Sequence, residues 1–276
     1  MTAPPLLVVN ADDFGLTPGV CEGILRAGAE GVVTSTSVLA VAPAFARYAP
    51  ALRDSGLGVG CHVALVGEDP LLLGPSEVPT LVDASGHPPL RWREFLRRWL
   101  LRRVDPDDVR REAAAQLEAC RAAGLVVDHL DSHQHVHLLP SVGAALVDLC
   151  TAEGVGAVRR PDADAGLQAL GVRRLASRFV RRAQRAGVRM PAGFAGLDDA
   201  GHLGVDGMVG AVAALAAAGT PSAELGVHPG ADPDPDRVRY EWGYDWPGEL
   251  SALCDPRLRE AVDRAGFRLG TFAELD

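Results

Sequence analysis

Short apolar runs and longer amphipathic stretches alternate along almost the whole chain. Leu6 to Asn10, Val32 to Val41, Gly58 to Val66, Gly156 to Arg159, Ala223 to His228 and Phe267 to Thr271 are brief and mostly apolar, the texture of buried strands. Between them lie stretches with helical spacing: Thr17-Pro18 to Gly31, Pro43 to Asp54, Arg91 to Arg103, Asp105-Pro106 to Gly124, Ser141 to Glu153, Val172 to Val188, Asp206 to Ala218 and Pro256 to Ala265. Thr17 and Asp105 stand where N-caps belong, each with proline at the first helical position, and Gly31 sits where the first helix should stop. After Asp105, the residues Val109, Ala113, Leu117 and Cys120 share one face. Strands that alternate with helices imply a parallel sheet. No internal repeat or linker interrupts the pattern. The expected architecture is α/β: residues 1–276 as a single modified β/α (TIM-like) barrel.

The apolar pattern changes after Val126-Val127. Every second residue from His129 to His137 is polar: His129, Asp131, His133, His135 and His137. Read as a strand, the segment puts a row of imidazoles and one carboxylate on one face. Buried polar groups need partners, and a metal ion satisfies several at once. Alternate strand residues stand about 6.6 Å apart, too far for several of them to share bonds of about 2.1 Å. One ion would take one histidine here and its other ligands from neighbouring strands, with Asp131 orienting an imidazole. Other polar groups also end apolar strands. Asp12-Asp13 lie in the loop expected after Leu6 to Asn10, His62 is late in the third strand, and His228 precedes the turn residues Pro229-Gly230. Barrel enzymes build their sites at such strand ends.

Composition narrows the classes. Apolar residues make up 47% of the chain, enough for a sizeable core, and the net charge of -9 speaks against a nucleic-acid partner. The five cysteines are scattered and form no CxxC, which reads as reduced thiols in the cytoplasm. No signal-peptide pattern opens the sequence, and the longest smooth apolar stretch, Val209 to Ala218, is too short to span a bilayer. All 27 basic residues are arginine, which removes Schiff-base lysines, pyridoxal phosphate attachment and the P-loop lysine.

Five segments together resemble the carbohydrate deacetylases of the YdjC/ChbG family, including the hopanoid-associated HpnK branch. They are Val9-Asn10-Ala11-Asp12-Asp13-Phe14-Gly15-Leu16, Gly31-Val32-Val33-Thr34-Ser35-Thr36-Ser37, Gly60-Cys61-His62-Val63-Ala64-Leu65, the run His129 to His137, and His228-Pro229-Gly230. Cys61 departs mildly from the aliphatic or Met residue usual in the family. The resemblance implies a barrel of the glycoside hydrolase/deacetylase type and hydrolysis of N-acetyl groups on an oligosaccharide or glycolipid. It implies one divalent metal ion, Mg²⁺ or Zn²⁺, held by Asp13, His62 and His133, with Asp12 as general base and His228 as acid. Asp131, His129, His135 and His137 would then support the ligands or meet substrate.

Two histidines and a carboxylate also hold non-haem Fe(II) in oxygenases, and a sugar-binding protein without turnover is a further reading. A phosphoesterase would need a cationic clamp that the sequence does not display. Arg91 to Arg103 and Val172 to Val188 are basic and could lie on anionic membranes; from sequence alone a solvated face or a subunit interface is favoured. A homodimer is among the arrangements left open. The loop Gly67 to Pro89 and the segment Tyr240-Glu241-Trp242-Gly243-Tyr244 are expected to shape the pocket.

Overall fold

The first apolar run does not stop at Asn10. In the computed structural model, which describes residues 3–160 and 166–276 (the side chains of 166–173 apart), β1 spans Leu6–Phe14 and is buried throughout. It anchors one parallel sheet with β2 (Ser35–Val38), β3 (Gly58–Val63), β4 (Val127–Ser132), β5 (Ala157–Val158), β6 (Gly193–Ala195), β7 (Ser222–Val227) and β8 (Arg268–Leu269). The order is β5-β4-β3-β2-β1-β7-β6, and β8 pairs with β1. Because β7 pairs along Leu6 to Ala11, β8 takes the opposite edge of β1 at Leu6 and Leu7, below the point where β2 begins at Asn10. The sheet forms a half-barrel flanked by helices, a modified TIM-like fold.

The helices are α1 (Pro18–Glu30), α2 (Phe45–Arg53), α3 (Trp92–Leu100), α4 (Pro106–Ala122), α5 (Pro140–Glu153), α6 (Gly166–Arg185), α7 (Val205–Ala217), α8 (Trp246–Leu253) and α9 (Pro256–Arg264). Thr17 and Asp105 cap α1 and α4 as their side chains suggest, accepting from the amides of Val20 and Asp107. Among the described residues, no helix is long and apolar enough to cross a membrane.

The faces of β1 explain where the chemistry can sit. Leu7, Val9 and Ala11 join the main core, whereas Leu6 and Val8 meet Ala157, Phe272 and Leu275 in a separate inner cluster. By strand alternation the next residues on that inner side are Asn10 and Asp12. The barrel interior is therefore apolar at its base and polar at the carboxyl ends of its strands. His129 marks the transition. Its ring stacks on Phe272 at 3.7 Å, and it leaves Gly60 no room for a side chain, since a Cβ there would stand 2.2 Å from its Nε2.

Three sequence expectations need correction, and two elements were not foreseen. Asp12 and Asp13 are strand residues, not loop residues. Asp13 has φ of 69°, and the pairing of β1 with β2 shifts register between Ala11 and Phe14. That bulge cancels the normal alternation, so both carboxylates reach the same cavity. The histidine row is likewise not one strand face: β4 ends at Ser132, and His133–Leu138 form a 3₁₀ turn with Gln134 and His135 in the left-handed region. Ser132 Oγ closes this turn by accepting from the His137 amide at 2.9 Å. β6 and α8 carried too little pattern to be foreseen, although Asp245 caps α8 by accepting from Gly248. Finally, Tyr244 lines the cavity but no residue of 67–89 does. That loop acts one step back, where Glu68 accepts from Trp242 Nε1 and Asp69 accepts from Tyr240.

Candidate active site

Asp13 from β1, His62 from β3 and His133 at the start of the 3₁₀ turn converge, each offering one ligand atom within 4.8 Å of the others. Asp13 Oδ1 lies 3.5 Å from His62 Nε2 and 3.2 Å from His133 Nδ1. It is buried and satisfied by no hydrogen bond. A buried, unsatisfied carboxylate oxygen facing two imidazole nitrogens suits a divalent cation, and three such donors leave coordination positions open. Burial alone would raise the Asp13 carboxyl, but the His133 and His62 imidazoles outweigh it and hold it below its ordinary value.

Behind these residues is a charged layer. His62 Nδ1 meets Asp131 Oδ1 at 2.8 Å, which turns Nε2 towards Asp13. Burial disfavours the imidazolium, yet Asp131 and Asp12 more than offset it and lift His62 to about 9. Asp131 Oδ2 accepts from Ser37 at 3.1 Å and from Arg159 at 2.6 Å. Ser37 also meets His129 Nε2 at 3.1 Å, and His129 Nδ1 lies 2.6 Å from Asp128 Oδ1.

Arg159, just past β5, is completely buried. It grips Asp12 with two hydrogen bonds of 2.6 Å and donates from Nε to Glu224 of β7 at 2.7 Å. Three carboxylates thus share one guanidinium. Burial pushes Asp12 up, but Arg159 overrides it and holds the carboxyl at about 2. Glu224 fares differently: burial dominates and it rises to about 7. Asn10 donates to Asp12 at 2.9 Å. His228 follows β7 with Nε2 3.9 Å from Asp12 Oδ2, beyond hydrogen-bond reach, while its amide is fixed by Glu249 at 2.5 Å.

Asp12, Asp13, His62, His133, His135 and His228 all line one cavity of about 680 Å³, walled by leucines, Trp92 and Tyr244. His135 sits on its margin, kept neutral by burial and by Arg159. His137 does not line this cavity. It folds back on Ser132, 2.7 Å from Oγ, and burial drops it to about 3. His129 and Asp131 likewise act from behind the wall.

Sequence reasoning missed Arg159 and Glu224, and with them the cation beside the ligand set. One signal was present: Glu224 is a lone charge inside the apolar run Ala223 to Val227, and a buried charge there requires a countercharge. Asp131 invites a direct test. Asp131→Asn keeps the volume but removes the charge that orients His62. Cation affinity is expected to fall about 10–100-fold, measured by competition with a chromogenic chelator. Unchanged affinity would show that His62 is held by other contacts.

Fold and site together define a modified β/α-barrel protein with an Asp-His-His group at the carboxyl end of its sheet. The chain belongs to the YdjC-like protein family, whose model matches residues 6–264. A human carbohydrate deacetylase is 32% identical over 98% of this chain and 91% of its own length. A carbohydrate deacetylase of Geobacillus stearothermophilus is 42% identical over 140 residues, 50% of this chain and 53% of that protein, so the match spans about half of that relative. Among solved structures, a protein assigned to cellobiose-phosphate cleavage from Enterococcus faecalis V583 superposes with a TM-score of 0.82 at 25% identity, covering 98% of each chain.

Proposed function

We propose that this chain is a metal-dependent hydrolase that removes N-acetyl groups from amino sugars of an oligosaccharide or glycolipid. The observation that carries the reading is the convergence of Asp13, His62 and His133 around the unsatisfied Asp13 Oδ1. It occurs in a chain whose human relative, matched over nearly its whole length, is named a carbohydrate deacetylase. Asp13, His62 and His133 would hold a divalent cation. The two imidazoles suit Zn²⁺, while Mg²⁺ favours more oxygen ligands. When bound, the cation supplies Lewis acidity towards an acyl oxygen and makes a neighbouring water more acidic.

The remaining steps fall to the chain. Asp12, fixed in orientation by Arg159, accepts a proton as water attacks the acetyl carbonyl. A carboxylate at about 2 is a weak base for ordinary water. It serves only where the water is already acidified, so the base and the cation site support each other. His228 stands beside Asp12 and would donate a proton to the departing amine. Tyr244 and Trp92 line the cavity together with several leucines, aromatic and apolar surface on which a sugar ring could rest. The five unpaired thiols suit a reducing, cytoplasmic setting, and the net charge of -9 speaks against a nucleic-acid partner.

The test is acetate release from N-acetylated chitooligosaccharides and acetylated glycolipids, using cation-stripped protein reconstituted with single divalent ions. Release is expected only from the reconstituted protein. Oxygen consumption on Fe(II) loading, with no acetate from any substrate, would overturn the reading in favour of an oxygenase.

A further inference from the structure

Two basic helices border the cavity. From Arg91 to Arg103 the chain carries six arginines against the single acid Glu94, and Arg93, Arg97, Arg102 and Arg103 are exposed. On α6, Arg174, Arg178, Arg181, Arg182 and Arg185 are exposed, in a protein of net charge -9. α3 and α6 both pack on the turn His133–Leu138. Trp92 and Leu96 of α3 line the cavity, and so does Leu175 of α6.

The basic rim is also greasy. Leu90, Trp92, Leu100 and Leu101 are 43%, 45%, 64% and 54% exposed, four of the largest exposed apolar side chains among the described residues. At 100° per residue, Trp92, Leu96 and Leu100 form one edge of α3 beside Arg93 and Arg97. A merely solvated face explains the arginines but not the leucines. A two-fold subunit contact explains the leucines, but it would set like charges against each other. Apolar side chains flanked by guanidinium groups match a surface with anionic phosphates above an apolar layer.

We propose that the α3–α6 rim docks on an anionic phospholipid bilayer, with the cavity mouth turned towards the membrane. The arginines meet lipid phosphates, and Trp92, Leu100 and Leu101 enter the boundary between headgroups and acyl chains. Docking does not rest on the deacetylase reading, because it concerns the rim and not the Asp-His-His group.

The experiment is co-sedimentation with phosphatidylcholine vesicles, with and without phosphatidylglycerol, at low and at molar salt. Binding is expected only with phosphatidylglycerol and only at low salt. At about fivefold per arginine, Arg178→Ser/Arg181→Ser/Arg185→Ser should weaken binding by about a hundredfold. Leu100→Ser/Leu101→Ser should weaken it by about tenfold or more. The pair Arg257→Ser/Arg259→Ser on α9, which packs on α7 and away from the rim, should stay within about twofold, since a charge far from the membrane is screened. All substituted side chains are exposed, and thermal melts verify that each variant folds. No binding at low salt, equal binding to neutral vesicles, or equal loss in the distant pair would overturn the proposal. So would variants that alter the sedimentation coefficient of the free protein but not vesicle binding, which would make the face a protein interface.

Discussion

Asp12→Asn is expected to lower kcat by about 10²–10⁴-fold, the usual worth of one proton-transfer group, while the cation content stays at the wild-type level. Asparagine keeps the volume and can still accept from Arg159 through its oxygen. Asp12 is also absent from the Asp13-His62-His133 group, so that set of donors remains whole. What disappears is the proposed proton acceptor. KM should change little, because the walls of the cavity are untouched. Acetate-release kinetics and elemental analysis of the same preparation check both halves. Turnover within about tenfold of wild type would remove Asp12 from proton transfer; loss of cation would make it a ligand. His228→Ala is the companion variant. With Nε2 only 3.9 Å from Asp12 Oδ2, the two groups fall within coupling range, and the double variant should lose less than the product of the single losses.

Asp13, His62 and His133 stand out in the sequence because each falls at, or just beyond, the carboxyl end of an expected strand. The parallel sheet was legible too, since seven short runs alternated with capped helices. Three things were hidden, each for a physical reason. The bulge at Asp13 depends on one residue adopting φ of 69°, and aspartate gives weak warning of that. The 3₁₀ turn at His133 looked like more strand because polar alternation continued through it, although Ser132 had already ended the pairing. Arg159 closes the expected strand Gly156 to Arg159, and nothing local marks it as a shared countercharge. Its three partners come from β1, β4 and β7, separated by much of the sequence, so only the folded sheet assembles them.

Arg159→Met tests how much of the site's architecture depends on that one side chain. Methionine fills similar space but takes from Asp12, Asp131 and Glu224 the guanidinium that all three share, leaving the His62 imidazole as the main nearby cation. Breaking a buried ionic group by removing one partner costs about 3–5 kcal/mol, which for a chain of this size is a fall of roughly 6–15 °C in melting temperature. The pH dependence has a definite sign. Arg159 depresses the folded-state Asp12 carboxyl to about 2, so its stabilisation is present above the unfolded value near 3.8 and is lost only as pH falls towards 2. Removing Arg159 therefore costs the full amount at pH 7. In the variant, burial and mutual repulsion raise the carboxyls with only the imidazoles of His62 and His129 left to lower them, so acidification protonates them and relieves the penalty. The gap in melting temperature between variant and wild type should narrow from pH 7 to pH 5. Glu224 works against a wholly ionised cluster even in the wild type: its folded value near 7 exceeds the ordinary 4.5, so wild-type stability declines modestly as pH rises between those two values. Arg159→Lys should fall between the two, since it restores the charge without the planar fork that holds Asp12 at both oxygens. A variant that melts within about 2 °C of wild type at pH 7, where roughly 6 °C or more is expected, would mean that the three carboxylates find protons or solvent without Arg159. The charged layer would then be a consequence of the fold, not one of its supports.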